Sequence, residues 1–122
     1  MHPLALLIII ASTTAKVKAI CYTSGDDWGS DQGQANAALE EVCSHLANSD
    51  YKHLEERYFC VNADSGNKKL EFWIKCHSMG GKFVDVPLCV QSLGDEINGC
   101  SLGGASMWMS LFFRADPNPG RC

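Results

Sequence analysis

The chain has 122 residues, 20% of them charged and 46% apolar, and a formal net charge of −4. That is one domain's worth of chain, with enough of it for a single modest core. The acidic balance and the lack of any Lys/Arg cluster argue against nucleic acid and against an anionic membrane as partners.

Leu4 to Ala11 reads LALLIIIA, an unbroken apolar run of eight residues. It is too short to span a bilayer, which takes ~20 residues, but it suits the apolar region of a secretory signal. Val17-Lys18-Ala19 provides small or compact residues for a cut after Ala19, with Ala15 as the second choice. The expected organisation is therefore a signal peptide over 1–19 and one extracellular cysteine-rich domain over 20–122. Loss of residues 1–19 leaves 103 residues, 8 basic against 14 acidic, for a net charge near −6.

Within that domain, Ile20 to Thr23 reads as a first strand and Ser24 to Ser30 as a loop. A helix follows. Asp31 is its expected cap, with Gln34 three residues on as in a capping box. Ala35, Ala38, Leu39, Val42, Cys43 and Leu46 form its apolar stripe, and Asn48 stops it. Tyr51 to Arg57 is polar and ambiguous. Tyr58 to Val61 reads as a strand, 64–67 as a turn, and Lys69 to His77 as a second strand making a hairpin with the first. Leu70, Phe72, Ile74 and Cys76 share one face; Glu71, Trp73, Lys75 and His77 share the other. Lys82 to Val84 reads as a short third strand. Asp85 caps a second helix with Pro87 in its first turn, and Asn98-Gly99 ends it. Ala105 to Arg114 reads as a last, central strand, and 116–120 as a rigid tail. The expected order is β-α-β-β-α-β. The expected fold is α+β: a single, mainly antiparallel sheet of four to five strands with two helices packed on it, stapled by disulfides.

All seven cysteines lie after residue 19. In a secreted domain of this size they read as a disulfide framework with one thiol left over, free or paired with a second chain. Six of them allow 15 pairings. No CxxC spacing points to zinc. Asp26, Asp27 and Asp31 share one loop, but not with the EF-hand spacing, so no metal or cofactor is expected.

Catalytic constellations are not visible. Cys76 and His77 are neighbours on a strand and point to opposite faces. His45 lies in a helix and His53 in a polar loop. The adjacent carboxylates Asp26/Asp27, Glu40/Glu41 and Glu55/Glu56 diverge, as on solvated surface. The aromatic residues say more. Trp28 sits in a loop with Asp26, Asp27 and Ser30, and Trp73 stands on a strand face with Glu71, Lys75 and His77. A tryptophan among carboxylates and hydroxyls suits a sugar, which offers C–H faces to stack and hydroxyls to bond. Trp28, Asp26, Asp27 and Trp73 are therefore the candidate glycan-binding residues. The competing expectation is that Trp28 packs its loop onto the core, with Trp73 and Trp108 under a helix or at a dimer interface.

Cys21-Tyr22, Gly25-Asp26-Asp27-Trp28-Gly29, a helix carrying Cys43, then Cys60, Cys89, Glu96-Ile97-Asn98-Gly99-Cys100, Gly103-Gly104 and the closing 114–122 segment RADPNPGRC form one pattern. The pattern covers nearly all of residues 20–122 and resembles the glycan-binding protein Y-three family, small secreted lectin-like proteins of mushrooms and moulds. The resemblance implies an α/β sandwich, carbohydrate recognition without catalysis, and homodimerisation through a sheet edge. It also implies a six-cysteine framework of Cys21, Cys43, Cys60, Cys89, Cys100 and Cys122. Cys76 departs from it, as a free buried thiol or a link between two chains. The expected function is thus a secreted, non-enzymatic glycan-binding protein, without nucleic-acid partners or membrane insertion. The alternatives are a secreted effector or killer-toxin-like protein acting through a protein surface, and a small extracellular hydrolase.

Overall fold

The computed structural model describes residues 20–122; the expected signal segment, 1–19, lies outside the described residues. The elements in chain order are β1 (Ile20–Cys21), α1 (Gln32–Ala37), α2 (Leu39–Leu46), β2 (Ser49–Tyr51), β3 (Glu56–Asn62), β4 (Lys68–Cys76), β5 (Lys82–Val84), α3 (Val86–Gly99), β6 (Gly104–Trp108) and β7 (Leu111–Pro119). Five strands form one antiparallel sheet in the order β1-β6-β7-β4-β3, and β2 and β5 form a separate pair. The three helices and three disulfides complete an α+β fold.

The alternation along β4 divides the sheet into two faces. Leu70, Phe72, Ile74 and Cys76 are all 0% exposed and join Leu111, Phe113 and Ala115 of β7 in the core, with Val42, Leu46, Leu93 and Ile97 from the helices. Glu71, Trp73 and Lys75 turn to the other face, as a period of two requires. In α3, the Asp85 carboxylate accepts from Leu88 N at 2.7 Å, with Pro87 in the first turn. This is the expected cap.

Five expectations are corrected. The first helix is two helices that break at Ala38. No breaker residue stands there, but α1 and α2 have separate anchors on α3: the Asn36–Asn98 amide pair for one, the Cys43–Cys89 disulfide for the other. Asp31 does not cap α1, because its carboxylate is taken by Ser65 Oγ at 2.6 Å and Lys68 Nζ at 2.9 Å. The Lys82–Val84 strand leaves the main sheet to pair with β2, a strand the sequence did not show, which ends where the ambiguous segment begins at Tyr51. The last strand is a hairpin. Met109 and Ser110 both adopt positive φ, 50° and 66°, and turn the chain between β6 and β7. The alternation of faces therefore does not run unbroken from β6 into β7. Ser106, Trp108, Leu111 and Phe113 lie on the helix side and Met107 with Phe112 on the other, since cross-strand partners share a face. The expected tail is the second half of β7, which runs to Pro119.

The disulfides are Cys21–Cys100, Cys43–Cys89 and Cys60–Cys122. They tie β1 to the end of α3, α2 to α3, and β3 to the chain end. Cys76 is free and 0% exposed, which leaves no route to a second chain.

A candidate functional site on the open face of the sheet

The sheet's register builds the site. Tyr58 of β3 pairs with Trp73 of β4, and Trp73 with Arg114 of β7, so these three form one row across the outer face. Cys60, Glu71 and Asp116 form the next row, and Asn62, Lys69 and Asn118 the one after. Tyr22, just past β1, holds the chain against the Gly103 carbonyl with its N–H at 2.9 Å. Its ring lies 5.5 Å from the Arg114 guanidinium, which is also 4.1 Å from the Trp73 ring centre. Tyr58 tilts against Trp73 at 5.2 Å.

Gly103 makes the approach of these elements feasible. Its φ is +85°, and a Cβ there would lie 2.8 Å from the Ala115 carbonyl oxygen and 2.9 Å from Asp116 Oδ1. Glycine alone meets both demands at little cost. Beside it lies an open cleft of about 510 Å³, lined by Tyr22, Thr23, Ser24, Arg114, Asp116 and Asn118.

Glu71 and Asp116 face each other directly across β4 and β7, an arrangement that repulsion disfavours. Each is compensated. Glu71 accepts hydrogen bonds from Tyr58 Oη and from Asn118 Nδ2, the latter at 2.7 Å, with Lys69 Nζ 3.8 Å away. Asp116 accepts from Arg114 Nη2 at 3.0 Å. Burial, and then the bond to Glu71, push the Tyr58 hydroxyl up to about 12. Burial also raises Tyr22, against the pull of Arg114. Both phenols therefore remain protonated donors at neutral pH. Arg114 Nε is buried and has no hydrogen-bond partner among the described residues.

The four candidate residues do not come together. Trp73 belongs to the open face. Trp28 is 2% exposed on the helix side, its ring 6.5 Å from Phe72 and its Nε1 donating to the Cys100 carbonyl at 2.9 Å. It packs its loop onto the core and has no face left to stack a sugar. This corrects its assignment as a glycan contact. Asp26 is half-buried and Asp27 exposed in the same loop as Trp28, and neither lines the cleft beside Arg114. The loop's backbone is held from inside: Lys68 Nζ donates to the Asp27 carbonyl at 2.9 Å while bound to Asp31. A lysine ammonium thus takes the place that a cation would need there. No three His, Cys, Asp or Glu side chains gather to hold a metal among the described residues.

His45 stacks on Phe59 at 4.4 Å and His53 lies against the Ser78 carbonyl, while His77 packs edge-on against Phe112 at 6.4 Å, beyond the end of β4 and outside the three rows above. Sequence reasoning missed Tyr22, Tyr58, Arg114, Asp116 and Asn118 as site residues. The one usable signal was the alternation of Arg114, Asp116 and Asn118, which the prolines between and after them obscured. No helix among the described residues is long and apolar enough to cross a membrane. No protein-family model matches the chain, and no curated protein matches it.

Proposed function

We propose that this is a secreted, non-enzymatic glycan-binding protein whose ligand lies on the open sheet face, between the Tyr22 cleft and Tyr58. The observation that carries the reading is the row of Tyr22, Trp73 and Tyr58 rings beside Glu71, Asp116 and Asn118. Planar apolar surface next to fixed donors and acceptors matches the two-sided chemistry of a sugar. The resemblance to the lectin-like fungal family supports the same reading, and three disulfides suit an oxidising extracellular setting. The carboxylates of the face serve as acceptors in standing hydrogen bonds, which suits recognition better than acid–base catalysis. The outer edge of β3, seven residues long, is the natural edge for pairing with a second copy.

The test is a glycan array with the oxidised protein at physiological salt, repeated with Trp73→Ala. Selective binding by the wild type and a loss of about tenfold or more in the variant, with unchanged near-UV circular dichroism, is the expected result. Stacking losses of ~1.5 kcal/mol correspond to that factor. A blank array with disulfide-complete protein overturns the reading. It would favour the effector alternative, for which the exposed Met79, Phe83 and Met109 offer apolar surface to a protein partner.

A further inference from the structure

We infer that Arg114 is a displaceable cover on Trp73, which splits one trough into two halves until a ligand moves it; the inference rests on the glycan reading above. The cleft is lined by Tyr22, Arg114, Asp116 and Asn118, but neither Trp73 nor Tyr58 reaches it. The guanidinium stands between them. It lines the cleft with Tyr22, 5.5 Å away, and lies 4.1 Å over Trp73, which does not line it, so a ligand in the cleft meets Arg114 before it meets the indole.

The hold on Arg114 is weak. Its one ion pair among the described residues, Nη2 to Asp116, joins side chains 36% and 12% exposed. Such partly exposed pairs and cation–ring contacts each contribute little. Against them stands Nε, buried without an acceptor, an arrangement that is costly in a folded protein. Rotating the side chain into water satisfies Nε and uncovers the indole. The opened trough then runs from Tyr22 over β7 and β4 to Tyr58 on β3, strands about 4.8 Å apart. A ligand that stacks on Trp73 has differential affinity for the open state, which is what a population shift requires. Arg114 is thus a positioning residue that sets how much of the aromatic row a glycan can use.

The experiment compares wild type, Arg114→Ala and Asp116→Asn, each with and without Trp73→Phe, by acrylamide quenching of tryptophan emission. The two-tryptophan background removes the signal of Trp73 and leaves Trp28 and Trp108. R114A is expected to raise quenching, with D116N moving the same way by less, and W73F is expected to abolish both differences. On the immobilised glycan panel, R114A is expected to half-saturate at about two- to tenfold lower protein concentration, the factor set by the cation–ring contact and ion pair no longer broken. Unchanged quenching in both R114A and D116N overturns the cover. So does a tenfold loss of glycan binding in R114A, which would make Arg114 a ligand contact. A wild-type protein that binds no glycan overturns instead the reading on which the cover rests.

Discussion

Trp28→Ala separates a structural tryptophan from a binding one. Trp28 is 2% exposed, packs 6.5 Å from Phe72 and donates Nε1–H to the Cys100 carbonyl. Truncating a buried tryptophan to alanine costs about 3–5 kcal/mol, transfer and cavity together. The lost hydrogen bond adds little, because the Cys100 carbonyl still accepts from Gly103 N at 3.0 Å and is not orphaned. The sum is about 4 kcal/mol, a large share of the ~5–15 kcal/mol available to a domain of this size. In a calorimetric scan that corresponds to a fall of roughly 15–30 °C in Tm. Trp28→Phe keeps a ring against Phe72 and should lose about a third as much. Glycan binding by the surviving folded fraction should be unchanged in both. If W28A melted within about 5 °C of the wild type and lost binding, the ring would be acting at the surface and the packing argument would be refuted.

Two further predictions concern what holds the fold. Cys43→Ala/Cys89→Ala opens a bridge of sequence separation 46 between α2 and α3, and loop-closure entropy puts the loss at about 4 kcal/mol, readable by urea titration. Under mild reductant, alkylation should mark Cys21 and Cys122, both exposed, before Cys43 or Cys89, both 0% exposed. The third prediction is an acid transition. The Ser65 hydroxyl first, and then Lys68, hold the Asp31 carboxyl below its ordinary value of 3.8. A depressed folded-state value stabilises above the unfolded one and is lost as pH falls through the folded one. The contribution is therefore complete above about pH 5 and fades below 3.8. Lys68→Met, which leaves a carboxylate only 4% exposed with the Ser65 hydroxyl but no counter-charge, should cost about 1–3 kcal/mol at pH 7. The deficit should narrow by pH 3 as Asp31 protonates; a deficit constant with pH would rule out the ion pair as its source.

The parts of the fold legible in the sequence were those with a strong local period. The alternation of Leu70, Phe72, Ile74 and Cys76 located β4 and its buried face, and Asp85 with Pro87 located the start of α3. What was not legible depended on distant partners. Met109-Ser110 lacks the Asn-Gly or Gly-rich chemistry that normally marks a two-residue hairpin turn. Its positive φ values are imposed by the pairing of β6 with β7, so the hairpin read as one strand. Asp31 and Gln34 have capping-box spacing, yet both were drawn into contacts with the 62–68 segment. A cap is a local bond worth about 1 kcal/mol, and a buried ion pair competes well against it.

The site was hidden for a related reason. Proline argues against a central strand, so Pro117 and Pro119 made the 116–120 segment read as a tail. β7 is central only in its first half: β6 pairs with it from Leu111 to Ala115 and no further. Beyond Ala115 the strand is bonded to β4 alone, and its other side is a free edge on which a missing N–H leaves no ladder bond unmade. That free edge is also what leaves room for the cleft. With β6 stopping at Gly104 and the chain turning back through Gly103 without a side chain, Tyr22 can stand beside Arg114 and Asp116. The prolines that disguised the strand and the glycines that end its neighbour therefore have one structural consequence. The glycines end the β6–β7 ladder at Ala115 and the prolines stand where β7 is bonded to β4 alone, beside the row of Arg114 and Trp73, and under the proposed reading a sugar would enter there.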